Sequence, residues 1–359
     1  MTLPIFIDNI AFYLQKTGGV TVVWKELLLR LIKRYPETVS LFYKNPPTNI
    51  FYDSIKDNFR IRYLPLYNLT IQRYFPVSLK NISRPFIFHS TYYRYSTNHK
   101  AINITTVHDF TYEYYTTGLV KKIHCWQKYK AIRHSQFVIC ISENTKKDLF
   151  KFLPDIDQDK VKVIYNGVSD DYYPIQTWNR NIIPFEKNDY LLFVGARSSY
   201  KNFDFLVTSL RGTEYKLVVV GAELSKTEIE LLKCNLKDNY YYAGRLSNTD
   251  LNNLYNGAYA FVYPSSYEGF GIPILEAQRA GCPVIAYNAS SIPEVIGDTP
   301  LLMNNLTTDE LLGKLSLLKD INKRQDIIQK GYINAMKFSW DKSFEKLMEV
   351  YNEAECLLF

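Results

Sequence analysis

Paired cysteines, a hydrophobic targeting segment and long apolar runs are all missing from this chain of 359 residues. The five cysteines form no Cys-x-x-Cys pair, and Cys140 and Cys282 lie in apolar surroundings, so we expect buried, reduced thiols and a cytoplasmic protein. No basic stretch precedes the first apolar residues, which argues against a signal peptide. No apolar run approaches the roughly 18 residues that span a bilayer, so a soluble or peripheral protein is expected.

Positive charge is concentrated in the first half of the chain. Residues 1–174 contain 24 Lys and Arg against 14 Asp and Glu, and the remainder contains 19 against 22. A basic half can meet nucleic acid, anionic lipid or an acidic substrate, with a solvated surface as the alternative. No motif supports a nucleic-acid partner. We expect one cluster to dock on an anionic membrane surface: Lys121, Lys122, Lys128, Lys130 and Arg133.

Alternating short apolar runs and amphipathic stretches predict an α/β protein with two domains, each long enough to bury its own core. The domains cover 1–174 and 189–337, and a polar, proline-containing linker over 175–188 joins them. In the second domain the pattern predicts a doubly wound parallel sheet, with strands at 190–194, 215–220, 240–243, 258–263 and 283–287. Strand-like runs of the first domain lie at 3–7, 39–43, 59–64, 85–89, 101–107, 137–141 and 161–165.

The most informative stretch is 263–283, which predicts a strand, a loop, a short helix and the start of another strand. Pro273 suits the first helical turn and Gly281 suits the position just after the helix. Glycines at 269 and 271 let the loop backbone approach a ligand, and the free amides of 271–275, apart from Pro273, which has no N–H, point out of the helix start. Such a helix start binds anions, most often phosphate.

Two carboxylates belong to this stretch, Glu268 in the loop and Glu276 one turn into the helix. Because helical side chains lean toward the N-terminus, both carboxylates are expected to reach one pocket. A carboxylate repels phosphate, so their suitable partners are hydroxyl groups on either side of a diphosphate, which describes a nucleotide sugar. The alternative is that Glu276 complements the helix dipole and Glu268 is a solvated loop residue.

The spacing E-x7-E with G-F-G inside it, followed by P-x-L-E-A and G-x-P-V, resembles the signature of retaining glycosyltransferases of the GT-B fold, family 4. The resemblance implies two Rossmann-like domains facing a cleft, the first binding the acceptor and the second the nucleotide sugar. It also implies a C-terminal helix over 338–359 that crosses back to the first domain. Within the motif it assigns ribose binding to Glu276, a catalytic contact with the donor sugar to Glu268, and diphosphate binding to the loop formed by Gly269, Phe270, Gly271 and Ile272.

Further elements of the second domain extend the resemblance. A stretch similar to the family's G-x-R-x-x-x-K-N supplies Arg197 and Lys201, which can both reach one anion because they are four residues apart. The resemblance assigns them to the diphosphate and the leaving group, whereas alone they would be surface bases. It adds Gly195, Arg245 and Leu246 to the donor site, the last two against the nucleobase.

The first domain contributes two further elements. Gly18 and Gly19 lie at a predicted strand-to-helix turn; the resemblance places Gly19 on the donor side and Gly18 on the acceptor side, and a simple turn is the alternative. His108 and Asp109 follow a predicted strand, where ligands of open α/β sheets bind. The resemblance gives His108 a catalytic contact with the donor sugar and puts Asp109 on the acceptor side. A structural histidine is the alternative.

The implied activity is that of a retaining hexosyltransferase that moves mannose or a similar sugar from a nucleoside-diphosphate sugar to a saccharide acceptor, lipid-linked or free. The context is bacterial surface polysaccharide or O-antigen synthesis, peripheral at the inner face of the cell membrane. No Asp-x-Asp pair lies in the motif loops, so neither a metal nor a cofactor is expected. The run S-S-I-P-E-V over 290–295, predicted as a capped helix start, resembles mannosyltransferases and favours GDP-mannose over UDP-sugars.

Alternatives within the same fold are an epimerase, a phosphorylase and a non-catalytic sensor of nucleotide sugars. A phosphorylase would need a cofactor lysine element that the sequence lacks. A sensor would be expected to have lost Glu268, Arg197 or Lys201, and all three are present.

Overall fold

The computed structural model describes residues 2–56, 60–65 and 68–357. The chain divides into two compact units. Unit 1 comprises Met1–Gly167 with Trp340–Phe359, and unit 2 comprises Val168–Ser339. Each unit has its own hydrophobic core.

Unit 1 contains a parallel sheet of seven strands within the described residues, in the order β3-β2-β1-β4-β5-β6-β7. The strands are β1 (Ile5–Asp8), β2 (Val39–Tyr43), β3 (Arg60–Leu64), β4 (Phe86–Ser90), β5 (Ala101–Val107), β6 (Phe137–Cys140) and β7 (Val161–Val163). The helices are α1 (Ala11–Leu14), α2 (Gly19–Arg34), α3 (Tyr52–Ile55), α4 (Leu69–Gln72), α5 (Thr111–Tyr115), α6 (Gly118–Arg133) and α7 (Glu143–Phe152).

The central strands of unit 1 are buried in its hydrophobic core. All five residues of β4 are buried, as is usual for a central strand of a parallel sheet. Helix α2 buries Trp24, Leu28 and Leu31, which are spaced along one helical face and join the core. Lys33 and Arg34 occupy its last turn, where positive charge stabilises the helix dipole.

Unit 2 contains a parallel sheet of six strands within the described residues, in the order β10-β9-β8-β11-β12-β13. The strands are β8 (Tyr190–Val194), β9 (Lys216–Val220), β10 (Tyr240–Gly244), β11 (Ala260–Tyr263), β12 (Val284–Tyr287) and β13 (Leu302–Met303). The helices are α8 (Phe203–Ser209), α9 (Lys226–Leu236), α10 (Asn248–Gly257), α11 (Ile272–Arg279), α12 (Ile292–Ile296), α13 (Thr308–Leu317) and α14 (Ile321–Ala335).

The last helix, α15 (Trp340–Cys356), belongs to unit 1 although it follows unit 2 in the chain. Its apolar side chains join the unit 1 core, and its Tyr351 hydroxyl lies 2.8 Å from Nδ1 of His89 on β4. Nε2 of His89 lies 2.9 Å from the Thr106 hydroxyl. Burial lowers the pKa of His89 to about 3, so a neutral imidazole joins helix and sheet.

The segment predicted as a linker, 175–188, lies on the surface of unit 2 against α10. The amide of Ile175 donates to Oδ1 of Asn256 at 2.9 Å, and the amide of Asn179 donates to Oδ1 of Asn253 at 2.8 Å. Most predicted strands are confirmed to within one or two residues. Of the strand predicted over 59–64, residue 59 lies outside the described residues.

The prediction of one exposed basic cluster on α6 is wrong. Lys128 is fully buried, because its ammonium donates to the Glu113 carboxylate at 2.9 Å and to the Asp109 carbonyl at 2.8 Å. Arg133 forms an ion pair with Asp155 at 3.0 Å, near the other end of the predicted cluster. Lys128 therefore lies in the interior of unit 1 and outside any docking surface, whereas Arg133 is half exposed and already paired with a carboxylate. Within the described residues, no helix is long and apolar enough to cross a membrane.

Candidate functional site

The order in which the chain adds strands to the sheet of unit 2 reverses between β8 and β11. The chain builds β9 and β10 on one side of β8 and then returns to place β11 on the other side. The loops that follow β8 and β11 therefore leave the sheet edge in opposite directions, and this topology forms the ligand crevice of open α/β sheets. Arg197 and Lys201 follow β8, and Glu268 follows β11, so the predicted residues lie at this crevice.

Lys201 and Glu268 form an ion pair across this crevice. Their side chains are 15% and 12% exposed, so the pair is only partly accessible to water. The Lys201 ammonium also lies 5.4 Å from the ring centre of Tyr263, at the end of β11. Burial, followed by the neighbouring Glu268 and Glu276 carboxylates, raises the pKa of Tyr263 well above its ordinary value. Glu268 and Glu276 thus both raise the pKa of the same buried tyrosine, which indicates that they lie near one another.

Arg197 does not meet Lys201 on a common partner. Its Nε donates to Glu228 at 2.7 Å, and its Nη2 donates at 2.8 Å to the carbonyls of Ala222 and Glu223. Burial would raise the pKa of Glu228, but hydrogen bonds from Ser225 and Arg197 outweigh it and lower this pKa. Nη1 of Arg197 is buried without a hydrogen-bond partner among the described residues. The predicted shared anion would therefore require the guanidinium to reorient.

The Glu276 carboxyl group lies beside two tyrosine side chains of unit 2, one on α10 and one in the segment before β8. The Tyr255 hydroxyl donates to its Oε2 at 3.2 Å, and the Tyr172 hydroxyl, like that of Tyr255, acts to lower its pKa. Burial raises the pKa of Glu276 to about 7, although both phenols act in the opposite direction. The carboxyl group therefore changes its charge near neutral pH. Neither tyrosine was identified from the sequence, because neither belongs to the motif stretch 263–283.

The glycine-rich loop reaches α11 through a left-handed residue. Gly271 has φ of 112°, which a side chain would strain, and its carbonyl accepts the amide of Ile274 at 3.0 Å. The sequence predicted that the amide of Ile274 is free, and this part of the prediction is wrong. Phe270 is 3% exposed and packs on Phe338 with ring centres 5.9 Å apart, so only its backbone can serve a ligand. Ile272 is the first residue of α11 and is half-buried.

Two serines after β12 hold this loop in place. The Ser291 hydroxyl lies 2.9 Å from the carbonyl of Glu268 and 2.8 Å from that of Phe270, and the Ser290 hydroxyl accepts the amide of Glu268 at 2.8 Å. The predicted serine cap of α12 is therefore wrong, since neither hydroxyl caps that helix. Both serines instead position the backbone around Glu268.

Asn202 joins the two loops and was missed as a site residue, although it is the last letter of the G-x-R-x-x-x-K-N pattern. Its amide nitrogen donates at 2.7 Å to the carbonyl of Pro264 and at 2.7 Å to the hydroxyl of Ser266. Its backbone is left-handed, with φ of 51°, and it directly precedes α8. The Asn202 side chain, together with a backbone hydrogen bond of 2.7 Å from the Ser266 amide to the Tyr200 carbonyl, therefore holds the loop of Lys201 against the loop of Glu268.

Glycines end the strands beside the crevice. Gly195 has φ of 126°, and a Cβ on Gly221 would lie 2.5 Å from the Gly195 carbonyl, so these loops pass each other at backbone contact. Arg245 and Leu246 follow the edge strand β10, with Arg245 exposed and Leu246 half-buried.

In unit 1, His108 and Asp109 follow β5. His108 is 6% exposed, its Nε2 is buried without a hydrogen-bond partner among the described residues, and burial lowers its pKa to about 4. It is therefore neutral at pH 7. The Asp109 carboxylate accepts the amide of Thr111 at 3.0 Å, and its carbonyl accepts the buried Lys128.

Gly18 and Gly19 lie at the start of α2. Gly18 is the N-cap residue with extended backbone, and a Cβ there would lie 2.7 Å from Oε1 of Gln15. A Cβ on Gly19 would meet nothing within 4 Å, so the fold of unit 1 does not require glycine at that position.

A metal site is the remaining arrangement to consider. Among the described residues, no three His, Cys, Asp or Glu side chains are grouped so that they could hold a metal ion.

The chain matches two family models that together cover most of its length. The model described as glycosyl transferases group 1 matches residues 175–358, and that of Glycosyltransferase Family 4 matches residues 17–172. The chain belongs to the group 1 glycosyltransferases. Its two parallel-sheet units have the GT-B fold, as the motif predicted.

Individual relatives of this glycosyltransferase include two O-antigen enzymes. O-antigen chain mannosyltransferase B of Escherichia coli is 25% identical over 268 residues, covering 69% of each chain. O-antigen chain mannosyltransferase RfbU of Salmonella typhimurium is 29% identical over 245 residues, covering 66% of this chain and 65% of its own length. The solved Anabaena protein HepE, in complex with UDP and glucose, has a TM-score of 0.73 at 15% identity over 97% of this chain and 99% of its own.

Proposed function

We propose that this glycosyltransferase moves mannose or a similar hexose from a nucleoside-diphosphate sugar to a saccharide acceptor with retention of configuration, in the synthesis of a bacterial surface polysaccharide such as O-antigen. The observation that carries the proposal is the Lys201–Glu268 ion pair, which lies where the strand order of unit 2 reverses between β8 and β11. The pair puts a cation and a carboxylate beside the start of α11. Glu268 and Glu276 are also near each other, since both raise the pKa of Tyr263. Relatives named as O-antigen mannosyltransferases support the sugar and the pathway class.

The donor would bind by replacing contacts that the crevice now makes internally. Its diphosphate would take the place of Glu268 at the Lys201 ammonium and would draw the Arg197 guanidinium away from Glu228. Backbone amides at Gly269, Gly271 and Ile272 would add neutral donors for phosphate oxygens.

The carboxylates are assigned to the two ends of the donor. Once released, Glu268 would accept hydrogen bonds from hydroxyl groups of the sugar, and ionised Glu276 would accept them from the ribose. Arg245 and Leu246 stay predicted contacts for the nucleobase. In unit 1, Gly18, Gly19, His108 and Asp109 keep their predicted substrate roles.

Retention follows if the acceptor attacks from the same side as the departing diphosphate. The bond from the anomeric carbon to the phosphate oxygen breaks, the bond to the acceptor oxygen forms, and a phosphate oxygen takes the acceptor proton. The released nucleoside diphosphate carries the charge that Arg197, Lys201 and the loop amides stabilise. These groups supply the positive charge that a metal ion provides in other glycosyltransferases, so we propose that the reaction is metal-independent.

We propose GDP-mannose as the donor, with UDP-sugars as the comparison. The names of the two O-antigen relatives support mannose, whereas the solved neighbour that binds UDP shares the fold alone. We also propose a lipid-linked acceptor and peripheral association with the inner face of an anionic cell membrane, since residues 1–174 carry the excess of positive charge.

A thermal-shift screen tests the donor. Purified protein is mixed with GDP, UDP, ADP and their sugars, because ligand at 100 times its dissociation constant stabilises the fold by roughly 2.7 kcal/mol. We expect the largest shift with GDP-mannose and a much smaller shift in Glu276→Ala. Transfer of radiolabelled mannose to a saccharide acceptor then tests the reaction, and a protein that binds donor but never transfers would be a sensor.

A further inference from the structure

Helix α6 of unit 1 presents large apolar side chains to solvent. Leu119, Val120, Ile123 and Trp126 are 70%, 62%, 38% and 51% exposed, and together we call them the α6 apolar face. The opposite side of the same helix is buried in unit 1, including the fully buried Lys128. An apolar patch of this kind on a charged, water-exposed protein marks an interaction site.

Positive charge surrounds the α6 apolar face. The helix contains no Asp or Glu, and Lys122, one turn from Leu119 and from Trp126, is exposed. Lys130 follows Trp126 by one turn, with its ammonium 5.0 Å from the Trp126 ring centre. Lys121 donates to the neutral carbonyl of Glu113 at 2.6 Å, beside the start of the helix. The patch therefore complements a surface that is apolar inside and anionic outside.

A neighbouring segment widens the patch. The side chain of Gln127 donates to the carbonyl of Arg73 at 2.7 Å, which fixes the segment after α4 against α6. Phe75 in that segment is 57% exposed, and it lines a shallow groove together with Trp126. The apolar side chains thus come from two segments whose relative position is fixed by the fold of unit 1.

We propose that the α6 apolar face docks on the surface of a bilayer that contains anionic phospholipids. Leucine, isoleucine and tryptophan would enter the boundary between headgroups and acyl chains, while Lys122 and Lys130 would contact lipid phosphates. This inference rests on the proposed lipid-linked acceptor and identifies the surface that brings the enzyme to it. It replaces the basic cluster predicted from the sequence with an apolar face that has bases at its margin, and Lys128 has no part in it.

Vesicle flotation with matched variants tests the docking surface. Leu119→Glu introduces charge at the second position of α6, and Ile321→Glu does the same at the first position of α14 in unit 2, where the isoleucine is 73% exposed. Both changes put an acid in a first helical turn, where folding tolerates it. On vesicles of phosphatidylcholine mixed with phosphatidylglycerol, we expect Leu119→Glu to lose about tenfold or more in affinity and Ile321→Glu to match wild type.

Lipid charge and tryptophan emission give two further measurements. Lys122→Ala should lose about fivefold in affinity for the mixed vesicles at low salt, and wild type should bind phosphatidylcholine alone much more weakly. Trp24 and Trp340 are buried and Trp178 of unit 2 is half-buried, whereas Trp126 is 51% exposed, so entry of Trp126 into lipid should shift the emission to shorter wavelength. In Trp126→Phe, flotation should persist and this shift should disappear.

Several outcomes would overturn the inference. They are an absence of flotation, flotation indifferent to lipid charge, or equal flotation of Leu119→Glu and wild type. Self-association that Leu119→Glu abolishes, without vesicle binding, would instead assign the face to a second copy of the chain. The donor-induced thermal shift and transfer to a water-soluble acceptor should be equal in Leu119→Glu and wild type. Failure of those assays in wild type would refute the proposed function while leaving the flotation result intact.

Discussion

Lys201 and Glu268 lie 67 residues apart in the chain and form an ion pair between the loops that follow β8 and β11. These two strands are neighbours in the sheet of unit 2, and the strand order reverses between them. Each side chain currently neutralises the other in a partly buried setting, where loss of one partner leaves an uncompensated charge. A donor diphosphate that binds Lys201 must therefore leave Glu268 with a new partner, and sugar hydroxyl groups would provide it.

Removing either Lys201 or Arg197 should reduce turnover, and the wild-type reaction should need no metal ion. We expect Lys201→Ala and Arg197→Ala each to lower kcat by about 10²- to 10³-fold, because each stabilises charge on the leaving diphosphate. Wild-type activity should be unchanged by EDTA. Initial rates with and without chelator measure both effects, and an absolute requirement for Mg²⁺ or Mn²⁺ would contradict the account.

Asn202 should matter through its side chain as well as its backbone. Asn202→Gly keeps the left-handed conformation and removes the side-chain hydrogen bonds to Pro264, Ser266 and Tyr200, whereas Asn202→Ala also adds backbone strain. We expect Asn202→Gly to weaken donor binding about tenfold, since the loops that carry Lys201 and Glu268 would be held less firmly relative to each other. Asn202→Ala should lose in addition about 1 kcal/mol of stability. Calorimetric titration with GDP-mannose and urea unfolding separate the two effects, and a glycine variant that binds like wild type would exclude the positioning role.

Glu276 should make both stability and binding depend on pH. Its pKa of about 7 in the folded protein exceeds the ordinary value of 4.5, so the folded protein holds a proton that the unfolded chain releases between these values. Stability is therefore lost as pH rises through this window. Glu276→Gln should raise the free energy of unfolding by about 1 to 2 kcal/mol at pH 8 and by little at pH 5.

The same variant should bind donor less well at pH 8, because an amide accepts ribose hydroxyls less strongly than a carboxylate. Wild-type affinity should rise from pH 6 to pH 8, and that of Glu276→Gln should stay flat. Urea unfolding and calorimetric titration at each pH measure these effects. Equal pH profiles for the two proteins would show that Glu276 does not bind as a carboxylate.

The sequence predicts the strands well where an apolar run is bounded by polar residues or glycine, as at Val39–Tyr43 and Ala101–Val107. It also predicts which loops carry Lys201 and Glu268 and which helix carries Glu276, because the strand ends fix these positions along the chain. Partners supplied by distant segments could not be predicted. Glu113 makes Lys128 a buried residue, a contact that depends on how α5 and α6 pack.

Arg197 illustrates the same limit within the candidate site. Its spacing from Lys201 permits a shared anion, but Glu228 on α9 competes for the guanidinium. The serines after β12 were expected to cap α12, and the carbonyls of the Glu268 loop take one of those hydroxyls instead. In both cases the side chain has a different partner from the expected one, and that partner lies in another element of unit 2.

The stereochemistry of transfer tests the central claim most directly. Front-side attack assisted by the departing phosphate leaves the anomeric configuration unchanged, and Glu268→Gln should keep part of the activity because Glu268 binds sugar rather than forming a covalent intermediate. The measurement is the anomeric coupling constant of the product by NMR, after reaction with an α-linked donor. An α-linked product is the predicted result, and a β-linked product would contradict the mechanism.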